Sequence, residues 1–528
     1  MRIKYLGFAF LVLLLSENIY SQKSIDKGLQ QITPELIQKY VNYLASDSMK
    51  GRNTPSPELD RAADYIANEL ASLGVQKVNG SYFQPVLFCT RNLDVSKSYL
   101  KLKVGDEEVK SFNLKSEFTP FEMTADTSIA SQIVFAGYGI TAPEYNYDDY
   151  KDLDVKGKIV LIMKHEPGEK DPKAAFDGDK DTKYTLLTSK LKNARDRGAI
   201  GVMVVTDPLN HILLTPQGYP WPSLSKYLPQ DNLPVELCEK ENNIPFVQVG
   251  DAVIKCLFGS VDSLKIIQKR IDSSLKPCSF ILKSTNCQLA TKMTITTYPS
   301  KNVVGIIEGR DSKLKNEYVI LGGHYDHVGY KKNHKPGEDY IYNGADDNAS
   351  GTSGVLAIAK AFKTLKKKPK RSIFFIFFTG EELGLYGSKY YSMNPLLPLE
   401  KSVVMLNLDM ISRAAKDSVE IDGFEYNPDL ESIMAPELKK SGLINKPGEE
   451  DMFGRSDHFN FFSKGVSAVD ISAGMHRDYH TVRDNPDAID ATKAAIITKV
   501  TFKTAWFIAN KKIYLKTIKP KKNYSLFD

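Results

Sequence analysis

What the sequence has little of narrows the reading first. Beyond an apolar run from Leu6 to Leu15, no segment is long and apolar enough to span a bilayer, which takes about 20 residues. That excludes further membrane-spanning helices. The formal charge is only +6 over 528 residues, too modest for an electrostatic nucleic-acid binder. The basic run KTLKKKPKR (Lys363 to Arg371) follows a helical pattern and precedes a strand, so it reads as a solvated helix end. Cysteine is scarce and odd in number: Cys89, Cys238, Cys256, Cys278 and Cys287, with no CxxC spacing to suggest a thiolate metal site. No strand is followed by GxGxxG and a helix, so the Gly pairs are turns and not a dinucleotide site.

The first 21 residues, with Arg2 and Lys4 ahead of the apolar run and Ser21 after it, fit a secretory signal peptide. The run is short for an anchor, and no cysteine follows it for lipid attachment. The expectation is an exported protein, periplasmic or extracellular, with no stable membrane anchor after cleavage. The composition, 42% hydrophobic and 25% charged, is globular and long enough for more than one domain.

Two helices are expected early, ITPELIQKYVNYLAS and SPELDRAADYIANELASLGV, the second capped by Ser56 and stopped at Gly74. From about Ile129 to Leu289 the pattern runs strand, strand, helix, strand, and FVQVGDAVIKCLF repeats strand to helix. The titratable residues of this stretch form no catalytic spacing, and His165 and His211 read as lone histidines. From Ser300 onward, apolar strands alternate with amphipathic helices, which implies a mostly parallel sheet covered on both faces. The expected fold is α/β, a mostly parallel mixed sheet between helices with a smaller β-rich α/β insertion. The boundaries are residues 1–21 signal peptide, 22–128 first part of the main domain, 129–289 insertion, 290–512 core and 513–528 basic tail.

In such sheets ligands bind beyond the carboxyl ends of the strands. There the sequence puts GGHYDH with His324 and Asp326, NGADDNASG with Asp346 and Asp347, IFFIFFTGEE with Glu381 and Glu382, and VVMLNLDM with Asp409. GMHRDYHTVRD adds His476 and His480. Two imidazoles and three carboxylates suit a pair of zinc-like ions, with one carboxylate shared. Adjacent glutamates repel each other; a metal beside them offsets this, binding one and leaving the other free to take a proton from water.

These motifs resemble those of the M28 zinc exopeptidases, and YNYDDYKDLDVKGKIVLI with ARDRGAIGVMVV resembles a protease-associated insertion. The resemblance implies peptide or protein substrates and two zinc ions. His324 and Asp409 would bind one ion, Glu382 and His480 the other, with Asp347 bridging and Glu381 as general base. Asp326 would orient His324, and Asp484 would do the same for His480. Asp346 and His476 offer the same chemistry as Asp347 and His480, but the family pattern favours the latter two. Asp457 and His458 fit a structural or a substrate-lining role, and His327 and His334 are expected to flank the entrance. Removal of N-terminal residues is the expected activity. A carboxypeptidase would need cations such as Arg455, Arg477 or Arg483; a non-catalytic peptide binder or a glutaminyl cyclase fits the full ligand set less well.

Overall fold

The computed structural model describes residues 25–519 except 122, 177, 179, 212–215, 217–234, 239–242, 447 and 449–451. The expected signal peptide and residues 520–528 of the expected basic tail lie outside these. The described residues form two compact units.

The first unit, residues 25–89, 235–238 and 297–519, holds a nine-stranded sheet. Its centre is four parallel strands in the order Ser372–Phe378, Tyr318–His324, Ser402–Leu408 and Ala468–Ser472. Met293–Ile307 runs antiparallel to the first of these, and Ser418–Asp422 antiparallel to the last. Every residue of Ser372–Phe378 is buried, as a strand covered on both faces requires. Phe375 and Phe377 pack on one side with helices Pro34–Leu44, Gly351–Thr364 and Ala491–Asn510. Phe374, Ile376 and Phe378 pack on the other with Tyr391 and Phe461. The two early helices start as the sequence predicts: the Thr33 hydroxyl accepts the Leu36 N–H and the Ser56 hydroxyl the Leu59 N–H.

The second unit, residues 90–216 and 243–296, contains a six-stranded sheet in which Ile133–Ala136, Ile159–Met163, Gly201–Val205 and Phe246–Val249 run parallel. A separate antiparallel sheet joins Lys110–Phe112, Tyr99–Val104, Thr285–Thr291 and Thr127–Ser131. This moves the expected boundary from Ile129 back to Thr90. The physical reason is pairing: Leu100 and Leu102 sit opposite Leu289 and Cys287, so residues 99–104 are held by strands at the far end of the insertion. The basic run also needs correcting at its end. Arg371 is buried, with its Nε on Glu317 at 2.7 Å and Nη1 on the Ile508 carbonyl at 2.6 Å. Cys238, Cys256, Cys278 and Cys287 form no disulfide.

Candidate metal centre

Strand register brings the first pair of ligands together. Val319 to Gly322 pair with Val404 to Asn407 in parallel, so two residues further on His324 and Asp409 stand level at the carboxyl edge. The His324 Nε2 is 3.3 Å from Asp409 Oδ1. One strand over, Phe378 is level with His324, and the turn at Thr379 and Gly380 carries Glu381 and Glu382 over the same edge.

The loop from Asn343 to Ser350 supplies Asp347. Gly344 has φ 60°, and a Cβ there would lie 2.4 Å from the His327 ring and 2.3 Å from the Asp347 carbonyl, so only glycine fits. Asp347 Oδ1 stands 3.2 Å from His324 Nε2, and Oδ2 stands 3.1 Å from His480 Nε2. Glu382 Oε2 lies 2.9 Å from the same His480 nitrogen. Glu381 reaches no closer than 3.8 Å to His324.

Asp346 turns away from this cluster. Its Oδ1 accepts the Ser412 N–H at 2.8 Å and hydroxyl at 2.6 Å, and its Oδ2 faces His476 at 3.3 Å. Asp346 and His476 therefore tie the loops behind the site to each other.

The two supporting aspartates hold other partners than the sequence suggests. The Asp326 carboxylate is 3.7 Å from His324 Nδ1, beyond hydrogen-bond length, and instead accepts the Glu381 N–H at 3.2 Å and the Thr54 hydroxyl at 3.1 Å. Asp484 accepts the N–H groups of Asp346 and Asp347. Both stabilise ligand loops through backbone donors.

His327, expected at the entrance, is buried inside the cluster, with Nδ1 2.6 Å from Glu382 Oε1. Its position three residues after His324 was the available signal. His334 is exposed and stacks on Tyr340. Ser456 was not foreseen: its hydroxyl donates to Asp409 Oδ2 at 2.7 Å and accepts from Asn407 at 2.9 Å. Nor was Arg52, fully buried, whose guanidinium donates to the carbonyls of Leu44, Tyr325, Asn343, Gly344 and Asp347.

The neighbouring glutamates are driven apart electrostatically. Burial and Asp347 would raise Glu382, yet His480 and His327 hold it down at about 2. Burial pushes Glu381 well above the usual carboxylate range; His324 opposes this, while Glu382, Asp409 and Asp457 add to it. The two neighbouring carboxyls are thus shifted in opposite directions from the ordinary glutamate value. His324, despite burial, is raised well above its ordinary value by Asp409 and Glu381.

The donor set fits a metal. Among the described residues, His324, Asp347 and Asp409 form one convergent group of ligand atoms, and His327, Asp347, Glu382 and His480 another. Each set mixes imidazole nitrogen and carboxylate oxygen, the ligands zinc-class ions take. Four carboxylates, Asp347, Glu381, Glu382 and Asp409, crowd into a largely buried space, which calls for a cation.

A mostly parallel sheet with imidazole and carboxylate ligands at its carboxyl edge defines a hydrolase-type metal centre. Residues 302–505 match the model of Peptidase family M28, a span that contains every proposed ligand. Aminopeptidase YwaD of Bacillus subtilis is 26% identical over 417 residues, covering 75% of this chain and 74% of its own. A glutamate carboxypeptidase 2 homolog of Caenorhabditis elegans is 24% identical over 73% of this chain, which spans about half (52%) of that protein. A solved aminopeptidase from Aneurinibacillus sp. strain AM-1 aligns over 94% of this chain and 98% of its own at 20% identity, with a TM-score of 0.47.

Proposed function

We propose that the protein is an exported exopeptidase that uses two zinc ions to release N-terminal residues from peptides. His324 and Asp409 would hold one ion, Glu382 and His480 the other, and Asp347 would bridge them. The observation that carries this reading is that the two oxygens of Asp347 face different imidazoles, His324 at 3.2 Å and His480 at 3.1 Å. Imidazole and carboxylate ligands together favour zinc.

Bound there, the metal supplies Lewis acidity and makes water more acidic. The chain supplies the proton carrier. Glu381 takes a proton from the attacking water on its carboxylate and returns it to the leaving amine. The Asp326 contact to the Glu381 N–H fixes the loop that aims this carboxylate, and the burial around it keeps its basicity high. His327, bonded to Glu382 Oε1, leaves Oε2 turned toward His480.

The choice of peptide end rests on the cleft beside the cluster. Its lining includes Glu420, Asp422 and Asp470, with Arg455 as its cation among the described residues. Burial, then Glu420, raises Asp422 to about 7, and burial with Asp409 pushes Asp470 well above its usual range. An ammonium entering here relieves that repulsion; a terminal carboxylate worsens it. Of the three arginines a carboxypeptidase would recruit, Arg477 is almost fully exposed and Arg483 is engaged by Asp478 at 2.7 Å. Only Arg455 lines the cleft. Export rests on the N-terminal apolar run, and the motifs of the second unit favour a protease-associated insertion.

Chelation followed by metal titration tests the reading. Hydrolysis should vanish on chelation and return fully only when zinc reaches about two ions per chain at this centre. Full activity at one ion, or activity untouched by chelators, would contradict it. Sequencing the N-terminus of exported protein tests cleavage after Ser21.

A further inference from the structure

The second unit contains another convergent ligand set, far from catalytic motifs in sequence and built by the same register logic. Ile159–Met163 and Gly201–Val205 are adjacent parallel strands in which Met163 pairs with Val205. Two residues beyond each end, His165 and Asp207 stand level. Four residues further along each chain come Glu169 and His211. The segments read HEPGE and DPLNH, so each loop contributes one imidazole and one carboxylate in opposite order.

The four side chains converge. His165 Nδ1 is 2.5 Å from Asp207 Oδ1 and 3.6 Å from Glu169 Oε2. His211 Nε2 is 2.9 Å from Glu169 Oε2 and 3.7 Å from Asp207 Oδ2. The two imidazoles stack with centroids 4.2 Å apart. For a tetrahedral zinc ion with N and O ligands at about 2.0–2.2 Å, ligand atoms lie about 3.3 Å from one another. The observed separations bracket that spacing.

A second observation separates this set from an ordinary polar network. Asp207 is fully buried, and its Oδ2, aimed into the cluster, has no hydrogen-bond partner. A buried carboxylate oxygen left without a donor is costly. The nearest buried cation does not serve it: Lys190 Nζ donates to the carbonyls of Tyr138 and His165. Lys170 Nζ is likewise spent on the Asn210 carbonyl, and Asn210 Nδ2 reaches Glu169 Oε2 at 3.2 Å. The loops are already stitched together around the cluster.

We propose that His165, Glu169, Asp207 and His211 bind a zinc-class divalent cation, a site separate from the peptidase centre. Four protein ligands close a tetrahedral ion and leave no position for water, so the site is structural and not hydrolytic. It clamps the two loops at the carboxyl edge of the second unit's parallel sheet.

Metal counting on the zinc-loaded full-length protein tests this with two variants. His211→Ala, at the more exposed corner, should lower the content by about one ion per chain while peptidase kcat/KM stays within about twofold. The Asp347→Asn/His480→Ala double variant, crippled at the peptidase centre, should still retain about one ion per chain after dialysis. Adding His211→Ala to that double variant should remove it. Equal metal content in wild type and His211→Ala, or a double variant that retains none, would overturn the proposal. A double variant that retains no ion overturns the proposal even if His211→Ala does not fold.

Discussion

The carboxylate of Asp484 accepts the backbone N–H of Asp347 at 3.1 Å and that of Asp346 at 3.0 Å. It thereby holds the main chain beneath the bridging ligand without touching the ligand's own oxygens. Asp484→Ala should leave the chain folded, weaken metal binding about 10–100-fold and lower activity in parallel, since outer partners of metal ligands commonly matter that much. Competition with a chromophoric chelator measures the first and peptide hydrolysis the second. Unchanged affinity would show that the loop holds its shape without Asp484.

Glu381→Gln should keep the metal and lose about 10²–10⁴ in kcat, whereas Asp347→Ala should lose metal as well. In the wild type, kcat/KM should fall on the acid side as Glu381 takes up its proton. Because burial raises that carboxyl, the acid limb should stand at higher pH than an ordinary glutamate gives. A pH profile of the two proteins checks both; an acid limb that survives in Glu381→Gln would assign it to another group.

His327→Phe tests the residue that the sequence placed at the entrance. With the imidazole gone, Glu382 loses its Oε1 partner at 2.6 Å and one of the charges that hold it near 2. Metal affinity should fall about tenfold and more steeply at low pH. Isothermal titration at pH 6 and pH 8 separates the two effects.

Arg52 satisfies five carbonyls from three segments around the centre. Arg52→Leu removes a donor from each of the five in a fully buried site, with only the Gly344 carbonyl keeping the Ala349 N–H, and should cost about 3–5 kcal/mol of stability. Urea denaturation reads it directly.

His458 shapes acid stability. Burial lowers its imidazole to about 3 from an ordinary 6.5. The unfolded chain therefore takes up a proton that the folded chain refuses, so this contribution is full above pH 6.5 and is lost as pH falls toward 3. His458→Gln should reduce proton uptake on unfolding by about one between pH 4 and 6. The pH dependence of the denaturation midpoint measures it, and identical slopes would contradict the assignment.

Much of the first unit was legible because its central strands are buried on both faces and so read as unbroken apolar runs such as SIFFIFF. The candidate ligand positions follow from where those runs stop. Partners that depend on pairing across the sheet were not legible. His165 and His211 read as lone because nothing local says that Met163 pairs with Val205. The start of the second unit was misplaced because Tyr99–Val104 finds its neighbour almost 200 residues later, and Arg371 looked solvated because its acceptors, Glu317 and the Ile508 carbonyl, lie far from it in sequence. The sequence puts Asp326 behind His324 and Asp484 behind His480; spacing along the chain does not show that each carboxylate accepts backbone N–H groups instead.

The most direct test of the central claim is to incubate the zinc-loaded mature protein with a peptide mixture in which each member has either a free or an acetylated N-terminus, and to follow chain lengths by mass spectrometry. The account predicts loss of residues from free N-termini only, and none after Asp347→Ala. Shortening from the carboxyl end, indifferent to acetylation, would contradict it and turn attention to Arg455.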